Sequence, residues 1–161
     1  MDQIAYELAE AQRSWECNGL LRTGQLFGQV GTTSEGNAIW LFEQERLTKL
    51  GVGSAPRKLC MGISRLVWSQ YEHCDTVDEV LASAQPSIPN VGLSAAALHL
   101  ADFAAPRRER LRLDLHASNF MLREASGQAV VSDPFLDTTA KHRVQQYVRV
   151  KASRAENNFL F

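Results

Sequence analysis

Residues 113 to 137 read L-D-L-H-A-S-N-F-M-L-R-E-A-S-G-Q-A-V-V-S-D-P-F-L-D, and this short span carries several side chains that handle metals or protons. These side chains are Asp114, His116, Asn119 and Asp133. Carboxylate and amide oxygens are ligands that magnesium prefers. A carboxylate or an imidazole can also accept a proton from a reacting group. The span is therefore the first candidate for a functional site.

The same span predicts a β-hairpin. Two short apolar runs, at residues 120–122 and 129–131, are separated by a polar segment with Ser-Gly at residues 126–127. Small and polar residues of this kind favour a tight turn. Such a hairpin would return Asp133 to the neighbourhood of Asn119, so that side chains distant in sequence meet at one end of it.

This arrangement resembles the C-lobe core of kinase-like phosphotransferases. An Asp in a loop, an Asn five residues later and an Asp after the next strand match that fold's proton acceptor and its two magnesium ligands. The motif D-L-H-x-x-N, followed by x-D-P, is most similar to the host-shutoff protein kinases of podoviruses, and next to aminoglycoside phosphotransferases and atypical kinases. The resemblance implies a catalytic role for Asp114 and His116, and magnesium binding by Asn119 and Asp133. It also implies an α+β fold, a truncated kinase C-lobe that is mostly helical with short antiparallel hairpins.

The motif departs from the kinase pattern at several positions. The usual D-F-G triplet reads D-P-F at residues 133–135, and the usual His-Arg before the catalytic Asp reads R-L at residues 112–113. His116 stands where protein kinases have a Lys two residues after that Asp. Loss of the Arg argues against control by phosphorylation of an activation loop.

Other interpretations of the motif stay open. A D-x-H in a loop is often a hydrogen-bonded turn, and Asp-Pro commonly opens a turn. D-x-H also begins metallophosphoesterase sites, but those need Gly-Asp and Gly-Asn-His blocks that this sequence lacks. His116 is either a proton shuttle or metal ligand, or a histidine that hydrogen-bonds within the loop and holds Asp114 and Asn119. We favour the loop-holding role.

The composition indicates one domain in a reducing compartment. A chain of 161 residues with 45% hydrophobic content can build one core but hardly two. Its net charge of −1 gives no general attraction to nucleic acid or to anionic lipid. No apolar run is long enough for a membrane span and the first residues lack a signal-peptide pattern, so we expect the cytoplasm, of the host cell if the chain is phage-encoded. Cys17, Cys60 and Cys74 lack C-x-x-C spacing and should be reduced thiols.

Apolar periodicity and capping residues predict the remaining elements. The predicted helices cover residues 2–17, 54 to about 73, 76 to about 85, and 93–104. The T-V-D-E sequence at residues 76–79 predicts a capping box for the third of them. Residues 25–31 and 37–43 predict a second hairpin. Trp15, Trp40 and Trp68 lie on apolar stripes and are predicted core residues.

The region before residue 50 predicts a reduced nucleotide lobe. In kinase-like folds, an apolar strand followed by a phrase such as the E-R-L at residues 45–47 is the hinge between the lobes. A kinase also needs a Lys on an early strand, paired with a helix Glu, to hold the nucleotide phosphates. The first Lys of this chain is Lys49, beyond the proposed hinge, so Glu7 and Glu10 of the first helix have no such partner.

We accordingly predict a kinase-like C-lobe domain at residues 1–140, in which residues 1–50 are the remnant of the nucleotide lobe and the hinge. Residues 141–161 are a basic C-terminal tail or helix. The predicted partner-binding residues of this tail are Lys141, Arg143, Val144, Tyr147, Val148, Arg149 and Lys151. A second basic cluster comprises Arg107, Arg108, Arg110 and Arg112. Basic faces bind phosphate backbones or acidic proteins, although most are simply solvated.

The missing Lys favours a degenerate kinase-like protein, a pseudokinase, that acts by binding and inhibiting a host protein. The resemblance to phage kinases implies host takeover or counter-defence. Such a protein requires no cofactor. The alternative is an active magnesium-dependent phosphotransferase or protein kinase, which would use Mg²⁺ and ATP. Nucleic-acid binding through the basic tail is a third, weaker hypothesis, and no membrane partner is expected.

Overall fold

The computed structural model describes residues 3–34, 36 and 38–138, and within them the chain is an α+β domain, as predicted. The helices are α1 (Gln3–Ser14), α2 (Ala55–Ser69), α3 (Val77–Ala84) and α4 (Val91–Ala104). The strands are β1 (Thr23–Thr32), β2 (Ala38–Gln44), β3 (Thr48–Lys49), β4 (Leu111–Leu113), β5 (Phe120–Arg123), β6 (Gln128–Val131) and β7 (Phe135–Asp137). No helix of the described part is long and apolar enough to cross a membrane.

Side-chain caps begin the helices close to the predicted positions. The Ser54 hydroxyl accepts a hydrogen bond from the Arg57 N–H at the start of α2, and the Asn90 side chain accepts one from Leu93 N–H at the start of α4. Before α3, the Glu79 carboxylate accepts a hydrogen bond from the Thr76 N–H at 3.2 Å, as the predicted capping box requires. These bonds satisfy backbone N–H groups that would otherwise lack a partner in the first turn.

Each of the sheets is small and antiparallel. Strands β1 and β2 form a two-stranded ribbon, β3, β5 and β6 form a three-stranded sheet, and β4 pairs with β7. The β1–β2 and β5–β6 pairs are the two predicted hairpins. The β4–β7 ladder, by contrast, joins segments that lie more than twenty residues apart in sequence. Local pattern alone does not predict such a pair.

The core lies between the helices α2, α3 and α4 and the β5–β6 hairpin. Val67, Leu81, Leu100, Phe120 and Val131 are almost fully buried there. Helix α4 is rich in alanine on its buried side, which lets it pack closely against α3 and β6. This packing holds the β5–β6 hairpin in place. The loops around the hairpin carry the candidate site residues predicted from the sequence.

The prediction that Trp68 is a core residue is wrong, because 40% of it is exposed. Helix α2 buries Ile63 and Val67, and the residue after Val67 lies about 100° further round the helix. Trp68 therefore lies on the surface. Trp15 and Trp40 are half-buried, and Trp15 packs against the core.

Candidate functional site

Asp114 and Asp133 lie in two loops that the β4–β7 ladder brings side by side. Asp114 directly follows β4, and Asp133 lies just before β7. The ladder pairs Leu113 with Phe135, and the Asp114 N–H donates a hydrogen bond to the Pro134 carbonyl oxygen at 2.8 Å. Backbone pairing thus places both acidic residues at one edge of the domain.

Asn119 joins the first of these loops to the hairpin. Its side-chain amide donates a hydrogen bond to the Asp114 carbonyl oxygen at 2.5 Å, and its backbone N–H donates to His116 at 2.9 Å. The Asn119 carbonyl oxygen accepts hydrogen bonds from the Ser132 N–H at 2.9 Å and from the Ser132 hydroxyl at 3.0 Å. The hairpin therefore brings Ser132, and with it Asp133, back to Asn119.

Helix α2 supports the same loop from outside. The Ser64 hydroxyl donates to the Leu115 carbonyl oxygen at 2.5 Å. One helical turn later, the Trp68 ring stacks on His116 with 5.8 Å between ring centroids. His116 Nε2 lies 3.1 Å from Asp114 Oδ1, although 63% of the His116 side chain is exposed. The loop-holding role of His116 stays a prediction, and neither contact from α2 was predicted from the sequence.

A cleft of about 370 Å³ opens beside these loops. Helix α1 and strand β2 form one wall, and the loops around Asp114 and Asp133 form the other. Its lining residues are Ile4, Ala5, Leu8, Gln12, Phe42, Gln44, Asp114, Ser132, Asp133, Phe135 and Leu136. The remnant of the nucleotide lobe that we predicted from the sequence thus faces the predicted site residues across a cavity.

The charged side chains among the described lining residues of the cleft are acidic. Asp114 and Asp133 are its charged residues, and none of the described residues that line it is Lys or Arg. Glu7 of α1 pairs instead with Arg107, at 3.1 Å, and so fastens the helix to the segment after α4. An anionic phosphate chain entering this cleft would meet negative charge unless a metal ion came with it.

The donors at this edge fit magnesium in part. Asn119 and Asp133 offer hard oxygen atoms, the type that magnesium takes. The Asn119 amide nitrogen donates to the Asp114 carbonyl oxygen, so the amide oxygen, which also accepts a hydrogen bond from the Ser118 hydroxyl at 3.5 Å, is the atom that could bind a metal. Among the described residues, no group of three or more His, Cys, Asp or Glu side chains is arranged to hold a metal ion. Magnesium would therefore depend on water and nucleotide phosphates for most of its ligands.

A largely buried ion pair between Arg123 and Glu45 was not predicted from the sequence. Arg123, at the end of β5, donates to both carboxylate oxygens of Glu45, at 2.6 and 2.7 Å. It also donates to the carbonyl oxygens of Asn18 and Leu20, at 2.9 and 3.0 Å, and only 7% of its side chain is exposed. This network ties the segment after β2 to the hairpin that carries Asn119. The sequence does show a charged residue, Arg123, at the end of an apolar strand. No local sequence pattern identifies its partner, however, because that partner lies 78 residues away.

Electrostatics keep this pair ionised. Partial burial by itself would raise the pKa of Glu45, but the hydrogen bond from Arg123 and the nearby positive charge outweigh burial and lower it. The same contact raises the pKa of Arg123, against the effect of burial. Both groups are therefore charged at neutral pH, and each compensates the desolvation of the other.

The second basic cluster is not an open phosphate-binding face. Arg107 pairs with Glu7, Arg108 with Asp78 at 2.7 Å and Arg110 with Asp137 at 3.1 Å. These contacts tie the segment between α4 and β4 to neighbouring elements. Arg112 is the exposed member of β4. The predicted partner-binding residues of the tail, from Lys141 to Lys151, lie outside the described residues.

Comparison of the chain with protein-family models, with curated proteins and with solved structures found no match. The kinase-like relationship therefore stays a prediction from the motif. The geometry adds that Asp114 and Asp133 line one cleft, and that His116 and Asn119 each contact Asp114.

Proposed function

We propose that this chain is a degenerate kinase-like protein that binds and inhibits a host protein rather than transferring phosphate efficiently. The kinase-like motif supports the scaffold, and the similarity to phage kinases supports host takeover or counter-defence in the cytoplasm as the setting.

One observation carries the noncatalytic part of the proposal. The first Lys of the chain is Lys49, which follows β1 and β2, so neither of these strands carries a lysine that could hold the phosphates of a nucleotide. Phosphoryl transfer depends on positioning and on stabilising the charge of the transferred group, and loss of a donor at such a site typically costs a factor of about 10²–10³ in rate. A scaffold that has the loop but lacks this lysine is better suited to binding than to turnover.

Growth of a bacterial host that expresses the chain tests this proposal. We expect wild-type expression to slow growth, and the Asp114→Ala and Asp133→Ala variants to slow it equally. Asp102→Ala, which removes an exposed carboxylate from α4, is the control for expression and surface charge. Each variant's thermal unfolding is measured in parallel, with Asp→Asn versions used where an Ala variant does not fold. Unimpaired growth with wild type contradicts inhibition. Loss of the effect in both folded variants contradicts the noncatalytic role.

A magnesium-dependent phosphotransferase is the second candidate, favoured by the shared edge of Asp114, Asn119 and Asp133. In that reaction Asp114 would accept the proton of the acceptor hydroxyl, and Asn119 with Asp133 would hold the magnesium that neutralises the phosphates. His116, 3.1 Å from Asp114 Oδ1, would orient that carboxylate.

Thermal unfolding with magnesium and ATP separates the two candidates. If the proposal is right, millimolar Mg²⁺ with ATP should leave the unfolding temperature unchanged. A ligand at about a hundred times its dissociation constant adds roughly 2.7 kcal/mol, so a functional site would be readily detected. Stabilisation that Asp133→Asn abolishes and Asp102→Asn preserves would favour the phosphotransferase.

A further inference from the structure

Strand β7 runs along one wall of the cleft. Ser132, Asp133, Phe135 and Leu136 all belong to the lining, so this wall extends from the end of the β5–β6 hairpin into β7. Leu136 is 37% exposed on this wall. The chain continues from the end of β7 through residues 138–140 into the basic tail at residues 141–161. The tail therefore starts a few residues from the cleft.

Charge sets the tail apart from the rest of the chain. It contains five Lys or Arg and one Glu, which gives it a net charge of +4. The whole chain has a net charge of −1, which leaves −5 for residues 1–140. The tail and the body of the protein are thus electrostatic complements.

The cleft is an acidic part of that body. Asp114 and Asp133 are the charged residues of its described lining. Of the basic residues near them, Arg110 is already paired with a carboxylate of β7, and Arg112 is exposed and does not belong to the lining. His116 contacts Asp114 from outside the lining. A basic segment that enters the cleft therefore meets carboxylates.

The tail is long enough to return along β7. Asp133 and Thr138 are five residues apart, and five residues of extended chain span at most about 17 Å. Thr138 and Arg143 are also five residues apart. A chain that turns back after Thr138 therefore has enough length for Arg143 to approach Asp133, and Lys141 would then approach the middle of the wall.

Apolar residues of the tail fit the opposite wall. Val144, Tyr147 and Val148 have the i, i+3, i+4 spacing that predicts one face of a helix. Side chains of α1 and β2 form the wall across from β7. Its apolar residues include Ile4, Leu8 and Phe42. A stripe of this kind can bury its side chains there while neighbouring cations reach the carboxylates.

Tethering favours the tail over a separate molecule. A segment on a short linker has an effective concentration of the order of 1 mM at a neighbouring site. A contact with a dissociation constant of about 1 mM would therefore be about half formed within one chain. A separate basic protein of equal affinity would need a free concentration of about 1 mM to compete.

We propose that the tail folds back along β7 and occupies the cleft, where Lys141 and Arg143 pair with the carboxylates and the apolar stripe packs on the opposite wall. A cation at Asp133 takes the position that magnesium would need, so the tail closes the cleft to nucleotide. This inference rests on the proposed function, because it names the segment that regulates the site of the degenerate kinase-like protein.

Carbodiimide cross-linking of the purified full chain tests the position of the tail, because this reagent joins a carboxylate to a lysine in contact with it. Mass spectrometry of the digested monomer should find Asp114 or Asp133 joined to Lys141, or to residue 143 in the conservative Arg143→Lys variant. Salt at about 1 M should reduce this product severalfold, since it shortens the Debye length to about 3 Å.

Variants of the cleft provide the controls for cross-linking. The double variant Asp114→Asn with Asp133→Asn should lose the product. Asp102→Asn, which removes an exposed carboxylate of α4, should keep it. Thermal unfolding shows whether each variant is folded. Absence of the Asp114 and Asp133 products in the wild type overturns the inference. A product that joins isotope-labelled to unlabelled chains would assign the cleft to the tail of a second copy and also overturns it.

Charge reversal in the tail gives a second, independent measurement. The double variant Lys141→Glu with Arg143→Glu should shift the backbone amide resonances of the lining residues Leu8, Gln44 and Ser132, because the tail leaves the cleft. Lys58→Glu, at an exposed position of α2, is the matched control and should not shift them. Unchanged resonances in the double variant overturn the inference. Both measurements use purified protein, so their outcome is independent of the growth experiment that tests the proposed function.

Discussion

Replacing Arg123 by Ala removes the group that ties the segment after β2 to the β5–β6 hairpin. The side chain is 7% exposed and Glu45, its bidentate partner, is 17% exposed. The substitution leaves the Glu45 carboxylate partly buried without its cation, and it leaves the carbonyl oxygens of Asn18 and Leu20 without these donors. Breaking a buried pair in this way typically costs about 3–5 kcal/mol. We expect a loss of that size in the free energy of unfolding.

Urea unfolding followed by circular dichroism measures this loss. Arg46→Ala, which removes an exposed arginine next to Glu45, is the matched control and should change stability by no more than about 0.5 kcal/mol. The double variant Glu45→Leu with Arg123→Met should regain most of the stability, because replacing both partners leaves no uncompensated charge. A loss of less than about 1 kcal/mol in the free energy of unfolding of Arg123→Ala would contradict a stabilising role for the ion pair. A double variant that is no more stable than Arg123→Ala would contradict it as well.

Two further predictions follow from the charges and thiols of the described residues. Partial burial would raise the pKa values of Glu45 and Asp78, but the hydrogen bonds from Arg123 and Arg108 outweigh it and lower both. Their contribution to stability is therefore present above the unfolded-state pKa values of about 4 and is lost as the pH falls through the lowered folded-state values. Stability measured from about pH 5 downwards should fall, less steeply in Glu45→Gln, and an unchanged slope in that variant would contradict the assignment. Burial raises the pKa of Cys60 to about 11, and the residue is fully buried. A thiol reagent at neutral pH should label it only as fast as the chain unfolds, while labelling of folded protein at the rate of half-buried Cys74 would refute this.

The sequence predicted the local elements well, because local chemistry determines them. The continuous apolar run at residues 38–42 and the Ser-Gly turn at residues 126–127 specify the two hairpins. Ser54 and Glu79 specify helix starts through side-chain hydrogen bonds that act within one turn. The position of a residue on a helix predicts its exposure less reliably than these local signals predict the elements. Trp68 was predicted to lie in the core but lies on the surface. An aromatic residue at the margin of an apolar stripe can lie on either side of the boundary.

Long-range contacts were beyond prediction from one sequence. The approach of Asp133 to Asn119 was predicted from the hairpin, but the β4–β7 ladder that positions Asp114 beside Pro134 joins distant segments. The same holds for the Glu45–Arg123 pair, whose partners are 78 residues apart. Contacts of this kind depend on the whole fold, so the residues that support the candidate site were found only in the structure.

Transfer of labelled γ-phosphate from Mg·ATP, with purified wild-type chain and bacterial proteins as acceptors, tests the central claim most directly. We predict no transfer above that of the Asp114→Asn variant, because no lysine precedes Lys49 to hold and neutralise the phosphates. Transfer by the wild type that Asp114→Asn abolishes and Asp102→Asn preserves, with all of these proteins folded, would contradict it and establish a phosphotransferase.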